Sequence, residues 1–562
     1  MKKILFVLIV FGFALLSAES FVVRLENPQR AQVIDFIRDG YDVAAYKPDA
    51  YLDLVVDQSR YENLLALGHE LQITQTEKQL RSNLGKDEDL DGYRYYDEML
   101  ADLQLFEALY PSICHLYDIG DSRGKEYSTA GNAAYDQYDH EIWAMKVSDN
   151  VNEEEDEPGI YYMGEHHARE PISLEMSMTI LEYLLTNYGV DPAVTDYVDH
   201  TQIWFIPLVN PNGHKVVVDE MNVWWRKNIC DNNVNGNLDT GNNGVDGVDP
   251  NRNYGWEWGG ASNNWSSETF QGTEAFSEPE TQAVRDLLSE HHFIAGISYH
   301  TYGEEILYPY GYAEGIAAPD DLALADLAEA MASSIPGLNG GYYTPEPSWV
   351  LYPTTGGTDD YAYGEYGIFA YTIEMATSFI PSAAQVPVIC NDNLTAALLL
   401  LDRINHASLQ GHITDFATGE PLEAEIFIEG IDDNGEFRNP YMSNGEYGAY
   451  YRLLTEGVYN VTFSAYGYED VTVENVVISD DASTILDVAM TPANPDVTVS
   501  GTITDAVTGL PLAGAIVELP DYNLIAVADD NGDYEISDLY AFTYEFVAHI
   551  SDYASSILQA SV

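Results

Sequence analysis

Apolar and polar positions along this chain follow two different periods. Residues 20 to about 75 hold short apolar runs, Phe21 to Leu25 and Tyr51 to Val56, alternating with helix-like stretches around Gln29 to Gly40 and Gln58 to Gly68. Such alternation predicts a small α+β unit. The segment Gln75 to Gly92 is polar and charged, as an exposed connection would be. From Tyr93 to about His406 strand-like and helical patterns alternate, the signature of an α/β sheet with helices on both faces. Gly159 to Met163, Gln202 to Val209, Ile294 to Tyr299 and Ile368 to Met375 are apolar enough for buried central strands. Pro171 to Tyr188 spreads Ile172, Leu174, Met176, Met178, Ile180, Leu181 and Leu184 as a helix does, with Pro171 suited to the first turn.

The last third carries an internal repeat. Gly411-His-Ile-Thr-Asp-Phe-Ala-Thr-Gly-Glu-Pro-Leu422 returns, offset by 90, as Gly501-Thr-Ile-Thr-Asp-Ala-Val-Thr-Gly-Leu-Pro-Leu512. Each copy reaches an Asn-Gly turn, Asn444-Gly445 or Asn531-Gly532, before a tyrosine-rich strand, as small antiparallel sandwiches do. The expected organisation is a leader (1–18), a small domain (19–85), a large α/β domain (91–406) and two β-sandwich modules (408–493 and 498–562). The modules read as binding or stabilising appendages, with polysaccharide or cell-surface contact as the partner expectation.

Composition sharpens the picture in three places. Met1-Lys-Lys3, the apolar run Ile4 to Leu16, then Ser17 and Ala18 have the parts of a secretory signal cleaved after Ala18. The expectation is therefore an exported protein, extracellular or periplasmic; no later apolar stretch approaches the length of a membrane span. Cys114, Cys230 and Cys390 are too few for a disulfide framework and too scattered for a thiolate metal site. With 23 Lys and Arg against 92 Asp and Glu, the formal charge is -69. That argues strongly against nucleic acid and anionic membrane as partners. It would draw in cationic peptides, and it equally fits adaptation to a salty habitat.

The chemistry concentrates where strands end. In Tyr162-Met-Gly-Glu-His-His-Ala-Arg-Glu-Pro171 a strand gives way to a helix, and His167 and Glu170 are spaced to converge on one ion. Taken alone that fragment is better read as a capped helix start. His300, closing the run Ile294 to Tyr299, would complete a two-His, one-carboxylate set that leaves a position open for water, as catalytic zinc sites do. Glu374, inside Tyr371-Thr-Ile-Glu-Met375, is a carboxylate among apolar neighbours, a costly placement that would raise its pKa into the range of a general base. His166 lacks the spacing to Glu170, so His167 is the expected ligand.

These segments resemble the M14 zinc carboxypeptidase family, the carboxypeptidase A and B type, over about residues 91 to 405. The motifs stand in the family's order: His167-Ala-Arg-Glu170, Asn210-Pro-Asn-Gly213, Trp225-Arg-Lys-Asn228, Gly247-Val-Asp-Pro-Asn-Arg-Asn253, His300 with Leu307-Tyr-Pro-Tyr-Gly311, Tyr352 before Gly356-Gly357, and Glu374. The resemblance implies a mixed central sheet flanked by helices, one Zn2+ on His167, Glu170 and His300, and cleavage of single residues from peptide or protein C-termini. By the same resemblance Glu374 is the base, Arg226 meets the oxyanion and Arg169 helps polarise the substrate. Asn251 and Arg252 would hold the terminal carboxylate, with Tyr352 closing over it, and Asp359 would set a preference for C-terminal Lys or Arg. A register shift of one would put Asp360 at that pocket floor instead. A guanidinium beside an amide is a two-point match for a free carboxylate. The C-terminal modules resemble the transthyretin-like modules that follow catalytic domains in many exported peptidases, and the small leading domain reads as a propeptide covering the cleft.

Asp231-Asn-Asn-Val-Asn-Gly236 matches the opening of a Ca2+ loop, but Asn242 stands where the full motif has Glu. Three rival readings are a peptidoglycan-cleaving relative, a non-catalytic binding protein on the same fold, and a surface adhesin built around the modules. The first needs a different carboxylate receptor, the second a lost ligand or base, and the third leaves Glu374 unexplained.

Overall fold

The computed structural model describes residues 20–85, 92–241, 244–479 and 482–562; the expected leader lies outside them. The chain forms two compact units, one running to Asn405 and including Gly435–Arg438, the other His406–Asn434 with Asn439–Val562. In the first unit, residues 20–85 form a four-stranded sheet from β1 (Ser20–Glu26), β2 (Asp42–Lys47), β3 (Tyr51–Asp57) and β4 (Gln72–Thr76), with helices α1 (Arg30–Arg38), α2 (Gln58–Ala66) and α3 (Glu77–Asn83). The small α+β unit is thus present, with two more strands than its apolar runs announced. The polar segment from Gln75 is not a plain connection at its start. Thr76 caps α3 by accepting from the Gln79 amide, and Leu80 and Leu84 are buried, so two apolar contacts fix a helix in a polar stretch.

Eight strands make the central sheet: β5 (Cys114–Asp121), β6 (Glu141–Val147), β7 (Gly159–Gly164), β8 (Gln202–Ile206), β9 (Phe293–Thr301), β10 (Glu305–Tyr308), β11 (Thr344–Pro347) and β12 (Phe369–Met375). Their order is β11-β10-β12-β9-β7-β8-β6-β5. The four inner strands run parallel, while β10 joins β12, β6 joins β8, and β5 joins β6 antiparallel, so the sheet is mixed. Every residue of β7, β8 and β9 is buried, which explains their continuous apolar runs: helices cover both faces. The sheet packs β7 against β9 closely, and a Cβ on Gly296 would run into the ring of Tyr161 across the ladder. The long helix Ile172–Asn187 starts one residue after Pro171, which serves as its N-cap rather than a first-turn residue.

In the second unit the two repeats adopt the same local turn. Asp415 donates its amide to Glu420 O, Asp505 donates to Leu510 O, and Gly419 and Gly509 both take positive φ. Each repeat has its own apolar cluster, one around Leu409, Ile426 and Phe463, the other around Val517, Leu539 and Phe546. The cysteines are all free, and no helix among the described residues is long and apolar enough to cross a membrane.

Candidate active site

The C-terminal ends of β7, β9 and β12 meet at one cleft, the place where open α/β sheets offer exposed chain ends to a ligand. After β7 the chain turns at once: Glu165 takes a φ of 57°, its amide donates to Ser173 Oγ at 2.9 Å, and Ser173 Oγ in turn donates to Glu170 O at 2.6 Å. This stitched turn aims His167 and Glu170 in one direction. His300 comes from the end of β9. His167 Nδ1 lies 2.9 Å from Glu170 Oε1, His300 Nδ1 lies 2.9 Å from Glu170 Oε2, and the two Nδ1 atoms are 3.1 Å apart. One ligand atom from each residue falls within 4.8 Å of the others, and all three residues are buried. Two imidazole nitrogens facing each other over a carboxylate in a dry site match the donors of a four-coordinate zinc centre with one open position.

His166 points elsewhere. Its Nε2 is 2.9 Å from Tyr254 Oη and 3.1 Å from Thr358 Oγ1, and its Nδ1 is 3.2 Å from Ser298 Oγ, so both nitrogens are engaged. Ser298 Oγ also lies 3.1 Å from His300 Nε2, which orients that ring with Nδ1 toward the cluster. Burial raises the Glu170 carboxyl, but His167 and His300 outweigh it and hold it well below the usual carboxylate range.

Glu374 is paired with His300 across the β12·β9 ladder and with Glu305 across β12·β10. It is half-buried, and its Oε2 has no hydrogen-bond partner. Burial first, then the Glu170 charge, push its carboxyl up to about 8, against the pull of Arg226 and Arg252. A free, basic carboxylate oxygen at the edge of the cluster is placed to take a proton. Arg226 donates from Nε to Asp249 Oδ2 at 2.9 Å, and Asp249 Oδ1 lies 3.2 Å from His167 Nε2, so one buried aspartate steers both a candidate ligand and a candidate oxyanion partner.

Asn251 and Arg252 are buried in the same wall. Asn251 Oδ1 accepts from the Thr358 amide and hydroxyl at 2.9 and 2.8 Å, which turns its amide nitrogen outward. Gly356, with a φ of 69°, lets the loop after Tyr352 lie directly on Arg252 O, where a Cβ would clash. Tyr352 and Asp359 line the same cleft, together with Glu374, Arg226 and Arg252. Asp359 Oδ2 is 2.7 Å from Ser348 Oγ, while Asp360 is turned away to accept from the Gly311 amide at 2.7 Å. Of the two aspartates, Asp359 is the one that lines the cleft.

Arg169 is brought near this cleft but is spoken for. Its Nη1 and Nη2 donate to Asp42 Oδ2 and Oδ1 at 2.6 and 2.9 Å, and its guanidinium lies 4.3 Å from the centre of the Phe379 ring. Asp42 belongs to β2 of the small leading sheet, and the next two residues, Val43 and Ala44, line the cleft itself. The same sheet is anchored by Arg30, which donates to the Val350, Leu351 and Trp349 carbonyls, and by Asp53, which accepts from Tyr302 Oη at 2.8 Å.

In the polar loop, Asp231 accepts from the Asn235 and Gly236 amides at 3.1 and 2.7 Å; Asn242 lies outside the described residues. Asp249, Ser298 and Asp42 were not singled out in the sequence. Asp249 had a signal in its place beside Pro250-Asn251-Arg252; Ser298 and Asp42 had none.

The fold, with a His-Glu-His group that could hold one metal ion at the strand ends, is that of the metal-dependent peptidases. More particularly, the family model for zinc carboxypeptidases, Peptidase_M14, matches residues 99–396, over half of the chain, and the chain belongs to that family. Carboxypeptidase D of Anas platyrhynchos is 28% identical over 403 residues, covering 68% of this chain and 25% of that protein. The zinc carboxypeptidase of Saccharothrix mutabilis subsp. capreolus is 31% identical over 300 residues, 50% of this chain and 62% of that one. The chain thus spans about a quarter of the carboxypeptidase D length and under two thirds of the bacterial relative. The crystal structure of carboxypeptidase A from Helicoverpa armigera shares the fold at a TM-score of 0.59 and 22% identity, over 69% of this chain and 98% of that one.

Proposed function

We propose that this chain is an exported zinc carboxypeptidase that hydrolyses the last peptide bond of peptides and proteins, preferring C-terminal Lys or Arg. The observation that carries this reading is the meeting, in one cleft, of a His-Glu-His cluster, an unpartnered carboxylate oxygen on Glu374 and an arginine-amide pair. His167, Glu170 and His300 would hold a Zn2+ ion, which when bound would supply Lewis-acid polarisation of the scissile carbonyl and a lowered pKa for nearby water. Glu374 takes the proton from the attacking water and passes it to the leaving amine. Arg226, locked by Asp249, meets the negative charge that grows on the carbonyl oxygen. Asn251 and Arg252 receive the terminal carboxylate, Tyr352 closes over it, and Asp359 pairs with a cationic side chain. Arg169 assists in holding the substrate once Asp42 has left it.

The leading domain supports a latent form in this reading. Asp42 occupies Arg169, and Val43 and Ala44 fill part of the cleft a peptide needs. Activity would follow removal of residues up to about Gly92. Export rests on the composition of the first 18 residues.

The test is amino-acid release from peptides ending in Arg, Lys, Phe or Glu, using the shortened form with and without a zinc chelator. The expected result is chelator-sensitive release, fastest from Arg and Lys. An ion pair near 4 Å at an effective dielectric of about 20 is worth about 4 kcal/mol, so Asp359→Ala should cut Arg release about 100-fold or more and spare Phe. An unchanged profile would refute the pocket assignment, and chelator-insensitive release would refute the mechanism.

A further inference from the structure

A second group of carboxylates lies far along the sheet from the cleft. The loop from β6 to β7 brings Asp149, Glu155 and Glu157 together, with one oxygen of each within 4.8 Å of the others. Asp199 adds a fourth negative charge from the end of the helix Pro192–Asp199, its Oδ1 accepting from Tyr188 Oη at 2.8 Å. The Lys146 ammonium, which acts on Glu157, donates to Glu153 O at 2.7 Å and Glu154 Oε1 at 3.5 Å. Glu155 is held in place by Ser148 Oγ on Oε2 and Asn150 Nδ2 on Oε1, at 2.8 and 2.7 Å.

Two oxygens at this locus have no donor. Glu157 Oε2 is buried and unpartnered. Gln202, the first residue of β8, is only 6% exposed; its Nε2 donates to Glu155 O at 3.1 Å, which fixes the amide against the loop, and its buried Oε1 has no partner. An orphaned buried acceptor costs about 1–3 kcal/mol, and clustered like charges add to that. Burial, with Glu155 and Asp149, pushes the Glu157 carboxyl up to about 8, against the pull of Lys146.

We propose that Asp149, Glu155, Glu157 and Gln202 form a structural Ca2+ site. The donors are all oxygen, with no nitrogen or sulfur to favour zinc, and the loop is irregular enough for the larger, more flexible shell of Ca2+ rather than the strict octahedron of Mg2+. Waters would complete the coordination. A cation here would tie the β6–β7 loop to the first residue of β8.

The experiment is calorimetric titration and thermal unfolding of the full-length, zinc-loaded protein in calcium-depleted buffer, adding CaCl2 or MgCl2. The expected result is Ca2+ binding with a rise in Tm, weakened at least tenfold by Glu157→Gln and by Gln202→Ala. Asp149→Asn serves as a second carboxylate variant if Glu157→Gln folds poorly, and zinc content should stay unchanged throughout. Absence of a Ca2+ response in the folded protein would overturn the proposal, as would an undiminished response in these variants. A response lost instead in Asp231→Asn would place the ion in the polar loop and overturn it too, and a preference for Mg2+ would overturn the identity of the ion.

Discussion

Replacing Asp42 by Asn tests the link between the leading domain and the cleft. The Asp42–Arg169 pair is bidentate and nearly dry, with side-chain exposures of 14% and 1%. Burial raises the Asp42 carboxyl, but Arg169 outweighs that and holds it below its ordinary value, the mark of a pair that favours the docked state. Truncating one partner of such a pair costs about 2–5 kcal/mol. At about 1.4 kcal/mol per tenfold, the ratio of docked to undocked leading domain should fall at least about 30-fold. Arg30 and Asp53 still hold their own partners, so the lower end is the expectation. The assay is release of C-terminal Arg by full-length wild type, full-length Asp42→Asn and the form starting near Gly92, at equal zinc content. Full-length Asp42→Asn should gain about 30-fold over full-length wild type, capped by the shortened form. If full-length Asp42→Asn stays as slow as wild type while the shortened form is fast, the ion pair does not hold the domain. If full-length wild type already matches the shortened form, the domain does not block the cleft.

Glu374→Gln should lower turnover about 100- to 10,000-fold while zinc content stays at one per chain, because the three ligand atoms are untouched; loss of zinc in this variant would contradict the placement of Glu374 outside the ligand set. The fully buried Glu280 is pushed up to about 7 by burial and by Glu278, against Arg123. The folded chain therefore keeps a proton that the unfolded chain releases, so this group's stabilisation is present at pH 4 and is lost as pH rises through about 7, by up to about 3 kcal/mol. Urea midpoints across that range should fall less steeply in Glu280→Gln than in wild type, and equal slopes would refute the assignment.

Several features were legible in the residues alone. The buried central strands showed as continuous apolar runs because both faces of β7, β8 and β9 are covered. β2 did not show: Asp42-Val-Ala-Ala-Tyr-Lys47 is short, and its role depends on what it lies against. His167 was separable from His166 by spacing to Glu170, and the structure shows the physical counterpart, since both His166 nitrogens are engaged elsewhere. Counting from Tyr352 put Asp359 at the pocket floor with Asp360 one register away; what each side chain touches shows only in the fold, where Asp359 lines the cleft and Asp360 accepts from the Gly311 amide.

The sequence by itself determined the alternation of strands and helices, the repeat near the C-terminus, and the local His-x-x-Glu and Pro-Asn-Arg pieces, because each depends on neighbours a few residues away. Tertiary structure alone decided that Asp249 serves His167 and Arg226 together, that Asp42 claims Arg169 across 127 positions, and that Gln202 faces the acidic loop. Those pairings are set by how sheets and loops pack, and the direction of a side chain in space leaves no mark on the order of residues along the chain.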